Sequence, residues 1–107
     1  DDALFLPMLA VGAKGVISVS SNLIPAEMVA LSNAFFAGDL AEAQRLHRKY
    51  YPLFRDQFVE TNPIPIKAAM AMAGLIQEEY RLPLCEMSSA NRDKLRATLE
   101  RCGILKK

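Results

Sequence analysis

The stretch Gly12-Ala13-Lys14-Gly15-Val16-Ile17-Ser18-Val19-Ser20-Ser21-Asn22-Leu23-Ile24-Pro25 constrains this chain more than any other. Val16, Ile17 and Val19 are β-branched, and such residues favour a pleated strand. Gly12 and Gly15 punctuate the approach to them. Pro25 suits the first turn of a helix, where its missing N–H is not needed. The stretch reads as a buried strand at 15–19, a polar turn and then a helix. No second segment reads convincingly as a strand. A lone strand has no partner for its N–H and C=O groups, and burying them unpaired is costly. The pattern therefore implies a mainly α chain that is a piece of something larger.

The remaining elements are helical. Residues 3–11 read as a short helix with Leu4, Met8 and Val11 on one face, stopped by Gly12. Pro7 inside it implies a kink or a late start. The helix after the strand spans 25–37, carries Met28, Val29, Leu31, Phe35 and Phe36, and is capped by Gly38. Asp39 caps the next helix, with Glu42 three residues on as a variant capping box. Leu40, Ala43, Leu46, Tyr50, Leu53, Phe54 and Phe58 recur at three- and four-residue steps, which makes one apolar stripe. The spacing predicts a helix of about 20 residues, bent or short of a hydrogen bond at Pro52. Residues 61–65 are predicted to be extended or turned, because proline disfavours α geometry in the residue before it. A helix over 66–73 follows, closed by Gly74. Residues 75–87 read as irregular around Pro83. The last helix starts near 88–91 and ends at Gly103, with Leu95, Leu99 and Cys102 inward.

A length of 107 residues bounds the chain to one domain. It is long enough to bury about two-thirds of its unfolded surface. No apolar run approaches the roughly 20 residues of a membrane span, so no membrane role is expected. The start is acidic rather than basic and carries no signal-peptide pattern. A net charge of +1 implies no strongly charged partner. Near the C-terminus Arg92, Lys94, Arg96, Arg101, Lys106 and Lys107 outnumber Asp93 and Glu100. They read as a phosphate or RNA contact, or as a solvated helix face. No aromatic residue is interleaved for base stacking, so the solvated face is preferred and no nucleic-acid partner is expected. Cys85 and Cys102 form no Cys-x-x-Cys motif; a disulfide stays open, but free thiols in a reducing cytoplasm fit better. With one His and two distant Cys, no metal site is expected. His47 reads as a solvated histidine on a charged helix face, Met70, Met72 and Met87 as gap-filling core. Ser18, Ser20 and Ser21 lack the elbow of a serine hydrolase.

Three motifs carry a resemblance. Gly15-Val16-Ile17-Ser18-Val19 with its flanks resembles the eighth barrel strand of the dihydrodipicolinate synthase family, also called 4-hydroxy-tetrahydrodipicolinate synthase. Asn62-Pro63-Ile64-Pro65-Ile66-Lys67, preceded by Val59-Glu60-Thr61, is similar to that family's Asn-Pro-Ile-Pro-hydrophobic-Lys motif. Arg81-Leu82-Pro83-Leu84-Cys85-Glu86-Met87-Ser88 is similar to its Arg-Leu-Pro segment before the last helix. They stand in family order and spacing, and Asp1-Asp2 resembles the acidic pair after the seventh strand.

The resemblance implies the C-terminal portion of a (β/α)8 TIM barrel, a fold that takes about 250 residues when complete. Residues 1–37 would be the end of the barrel, made of helix seven, strand eight and helix eight. Residues 38–107 would be a helical C-terminal extension. The family's enzyme is a Schiff-base lyase that condenses pyruvate with aspartate semialdehyde in lysine and diaminopimelate biosynthesis. Its reactive lysine and proton relay lie upstream of Asp1, so this chain alone is expected to be inert, with no catalytic residue and no cofactor of its own. Ile17 is the expected substrate-binding residue, lining the pyruvate pocket once the rest of the barrel is present. Asp1 and Asp2 would lie at the mouth of that pocket, but free terminal residues are usually mobile, so no role is assigned to them here. Lys67 invites a nucleophile reading. The family's reactive lysine is on another strand, so Lys67 reads as structural, pairing with a carboxylate. The implied setting is cytoplasmic and homo-oligomeric. Two alternatives stand beside this reading. One is a fragment of another pyruvate-dependent aldolase, such as a sialic acid lyase. The other is a helical packing or oligomerisation module without chemistry, which self-associates through bare apolar faces or its lone strand.

Overall fold

The apolar stripe of the longest helix organises the molecule. The computed structural model describes all 107 residues. Five α-helices are present: α1 (Phe5–Ala10), α2 (Pro25–Phe36), α3 (Leu40–Asp56), α4 (Ile64–Met72) and α5 (Ser89–Arg101). Helix α3 buries Ala43, Leu46, Tyr50, Leu53 and Phe54. The stripe is shorter than its periodicity suggests. Leu40 stays half exposed in the first turn, and Phe58 lies beyond the helix end and is 44% exposed. Pro52 sits inside α3, which nonetheless continues to Asp56.

Local chemistry sets the helix ends. Pro25 opens α2, and Gly38 at φ +80° lets the chain reverse into α3. The Asp39 carboxylate accepts from the Glu42 amide at 3.1 Å. The reciprocal half of the capping box does not form, because the Glu42 carboxylate takes the Arg45 guanidinium at 2.7 Å instead. Helix α4 starts two residues earlier than the sequence suggests, with Pro65 in its first turn, where it has no hydrogen bond to lose. Ser88 caps α5 by accepting from the Asn91 amide at 3.3 Å. Leu95, Leu99 and Cys102 face inward as the periodicity indicated.

A 3₁₀ turn over Asp2–Leu4 precedes α1, so the helix starts late, as Pro7 implied. Leu4, Met8 and Val11 do share a face, but it is the exposed one; Phe5, Leu6 and Leu9 are buried instead. An apolar helix with hydrophobic residues all round gives no periodic hint of which side meets the core. Met87 is buried and Met70 and Met72 pack against the core, filling gaps as expected.

No β-ladder forms in the chain. The segment expected as a strand at 15–19 runs without one, between α1 and a short 3₁₀ turn at Ser20–Asn22. One strand cannot make a sheet, and the helices around it offer no edge. Helix α2 packs along α3, and α3 and α4 both pack on α5. A single hydrophobic cluster runs from Phe5 to Cys102 and takes in residues from all five helices.

Candidate functional site

Ile17 stands wholly in solvent, at 100% relative exposure. The N–H groups of residues 14–18 donate to no acceptor in the chain. This is the condition of a strand without neighbours. Shallow grooves lie on either side. One of about 350 Å³ is bordered by Leu4, Met8, Ala13, Val16 and Ile17. The other, of about 280 Å³, is bordered by Phe5, Val16, Ser18, Ser21 and Met28.

The segment is pinned hard just after Ile17. Asp2 is buried, and its Oδ2 accepts from the Val19 amide at 3.1 Å and the Ser20 amide at 2.9 Å. The same oxygen accepts from Gln57 Nε2 at 2.8 Å. Ser20 Oγ donates to Gln57 Oε1 at 2.8 Å, which closes the group. Burial opposes the Asp2 charge, but the nearby polar groups of Ser18, Ser20 and Gln57 outweigh it and hold the carboxyl below the usual carboxylate range. Asp2 is thus an anchor in the core rather than a mobile terminal residue. Asp1 stays exposed and caps the first turn, its Oδ1 accepting from the Ala3 amide at 2.9 Å. Within the turn, Ser18 Oγ accepts from the Ser21 amide and Asn22 Nδ2 donates to the Val19 carbonyl. The Val19 and Ser20 amides are consumed by Asp2 and are not free to hold a ligand oxyanion.

The other singled-out residues lie elsewhere. His47 is not a solvated histidine: its ring packs 5.6 Å from Tyr51 and 6.1 Å from Phe54, and its Nδ1 is buried. Burial, with the nearby Arg48 charge, lowers its pKa. Lys67 pairs with no carboxylate; its ammonium sits 5.7 Å above the Tyr80 ring. Burial pushes the Tyr80 hydroxyl up to about 12. Cys85 is exposed, Cys102 is buried, and both are free thiols. Glu60 accepts from the Ser88 amide and Asn91 Nδ2, both at 3.0 Å, and so ties the start of the Asn-Pro-Ile-Pro region to α5. A hollow of about 290 Å³ between α3 and α5 is bordered by Arg55, Asp56, Lys94, Thr98 and Arg101. Asp2, Ser20 and Gln57 come together just after Ile17 in the chain; His47, Lys67 and the cysteines do not join them.

The model of the dihydrodipicolinate synthetase family matches residues 1–102. The chain belongs to this family. A 4-hydroxy-tetrahydrodipicolinate synthase from Thermodesulfovibrio yellowstonii is 51% identical over 106 residues, which is 99% of this chain and 36% of the relative. The dihydrodipicolinate synthase of Thermotoga maritima superposes with a TM-score of 0.94 at 44% identity, over 98% of this chain and 36% of that one. A chloride-inhibited synthase from Acinetobacter baumannii, solved in complex with pyruvate, superposes with a TM-score of 0.92 at 36% identity, over 98% of this chain and 36% of that one. The chain thus spans about a third of the length of the dihydrodipicolinate synthetase relatives it matches. At TM-scores above 0.9 these relatives share the arrangement of the five helices.

Proposed function

We propose that this chain is the C-terminal portion of a 4-hydroxy-tetrahydrodipicolinate synthase, with residues 1–37 closing the barrel and 38–107 forming its helical extension. The complete enzyme condenses pyruvate with aspartate semialdehyde in lysine and diaminopimelate biosynthesis. An upstream lysine forms the Schiff base, the enamine attacks the aldehyde, and no further cofactor is needed. This chain supplies one wall of the pyruvate pocket through Ile17 and is inert alone. The observation that carries the reading is the free segment at 14–18. It carries the β-branched Val16 and Ile17, its N–H groups are unpaired and open grooves border it, which is what a barrel strand without its neighbours leaves behind. Barrel enzymes bind substrate toward the C-terminal ends of their strands, and Ile17 lies two residues before the end of the expected strand at 15–19.

The test grafts residues 1–106 in place of the matching third of the Thermodesulfovibrio yellowstonii relative. The graft and the isolated chain are each incubated with pyruvate and borohydride, which freezes a Schiff base, and intact masses are recorded. The expected result is an adduct on the graft and none on the isolated chain. A folded graft without an adduct, or an adduct on the isolated chain, refutes the reading.

A second property follows from one observation. Leu4, Met8, Val16 and Ile17 are all exposed and border one groove. Bare apolar patches of this kind drive association. The isolated chain is expected to self-associate, and a monodisperse monomer in light scattering refutes this.

A further inference from the structure

We propose that Asp2 and Gln57 are positioning residues for the substrate pocket, which together clamp the turn that follows Ile17. The inference rests on the reading of Ile17 as a pocket residue.

Ile17 has no support of its own. Its side chain touches solvent only, and no backbone N–H from 14 to 18 is held within the chain. The segment is fixed at its two ends. At one end the Ala13 amide donates to the Met8 carbonyl at 2.9 Å. At the other, Val19 and Ser20 are held by Asp2 Oδ2. Val19 is two residues from Ile17, and at roughly 3.3–3.6 Å per residue the anchor lies within about 7 Å of it along the chain.

Asp2 does not hold that end by itself. Its Oδ1 is buried without a partner, so Oδ2 alone receives all three donors. Gln57, fully buried just past the end of α3, supplies the third donor and fixes where that oxygen sits. Its amide also receives the Ser20 hydroxyl, so one side chain orients both halves of the clamp. A neutral amide is the group that donates to a carboxylate and accepts from a hydroxyl at once. The clamp thus couples the helical extension to the pocket wall, across 55 positions between Asp2 and Gln57.

Two measurements test this. On the 107-residue chain, amide hydrogen exchange is read at Val19 and Ser20, with Leu99 as the reporter of global folding. Asp2→Leu is expected to speed exchange at Val19 and Ser20 by at least about tenfold, and Gln57→Leu by at least about threefold, with Leu99 still protected. Asp2→Asn, which keeps an acceptor oxygen, is expected to restore most of the protection. If Asp2→Leu fails to fold, Gln57→Leu carries the test, since it leaves the two amide bonds in place. Folded variants with exchange at Val19 and Ser20 within twofold of the parent overturn the clamp.

On the graft described above, Gln57→Leu is expected to raise the KM for pyruvate about tenfold and to lower kcat by less than about threefold, because a displaced wall weakens substrate placement. A lower melting temperature with an unchanged KM means a structural role only, and overturns the proposal. A parent graft that forms no pyruvate adduct refutes the pocket reading, and the exchange measurement still decides the clamp.

Discussion

Removing one hydroxyl should weaken the α3–α5 contact more than removing a whole guanidinium. Asp56 is 2% exposed. Its Oδ2 accepts from Thr98 Oγ1 at 2.6 Å. Its two oxygens also accept from Arg55 Nε at 2.7 Å and Nη2 at 3.0 Å, with Lys94 Nζ 3.8 Å away. Burial works against the charge, but hydrogen bonds from Arg55 and then Thr98 outweigh it and keep the Asp56 carboxyl below its ordinary range. Arg55 contributes more to the charge balance, yet its side chain is 54% exposed. Solvent screens such a pair, and water replaces the guanidinium when it is gone, so Arg55→Ala should cost less than the loss of a buried partner. Thr98 is itself buried, so water replaces its hydroxyl less readily. A hydrogen bond to a charged acceptor contributes roughly 1.5–3 kcal/mol, so Thr98→Val should cost about 2 kcal/mol.

For a domain near 100 residues, 1 kcal/mol shifts the melting temperature by roughly 4 °C, so Thr98→Val should lose about 8 °C and Arg55→Ala clearly less. Thermal unfolding followed by far-UV circular dichroism at neutral pH reads both. The difference also has a pH signature. A carboxyl whose folded pKa is depressed contributes stability above its unfolded pKa of about 3.9, and that contribution is lost as pH falls through the lower folded value. The gap between Thr98→Val and the parent should therefore be full at pH 7 and shrink below about pH 4. Equal losses from the two variants, or a gap that persists unchanged at pH 2, would refute the reasoning.

Other outcomes follow from packing, capping and thiol exposure. Phe54→Ala removes a ring that is 1% exposed in the centre of the core and should cost about 3–5 kcal/mol, which urea titration measures. Asp39→Ala deletes the side-chain cap of α3 and should cost about 1 kcal/mol, seen as a melting shift of about 4 °C. An aromatic disulfide reagent should react promptly with Cys85, while Cys102, buried and with its thiol pKa raised by that burial, should react only on unfolding. Two fast thiols in the folded chain would contradict the position of Cys102.

The helices were legible because their signals are local. The three- and four-residue stripe of α3, Pro25 at the start of α2, and Gly38 and Asp39 at the reversal each act within a turn of themselves. The same stripe overran at Phe58, where the period continues after the helix has stopped. The lone strand was legible as a segment in need of partners, and the chain supplies none. His47 misled because its sequence neighbours are charged, whereas Tyr51 and Phe54, one and two turns on, decide its surroundings. Lys67 misled in a similar way, since its partner Tyr80 lies in an irregular stretch that no periodicity addresses. Ile17 was named from a motif. Gln57 carried no signal, because a polar residue near a helix end is ordinary and its partner Asp2 is 55 positions away.

The single hydrophobic cluster has a consequence for any attempt to treat the extension as a cassette. Met28 and Leu31 on α2 belong to the same interior as Leu46, Leu53 and Phe54 on α3, so the seam after residue 37 runs through packed side chains rather than between two surfaces. Exchanging residues 38–107 between relatives would mate a foreign α3 to the resident α2, and the mismatch would be felt at Leu31, which is 1% exposed. Interchange that respects the interior must carry α2 and α3 together, and with them α1, whose Phe5, Leu6 and Leu9 belong to the same cluster.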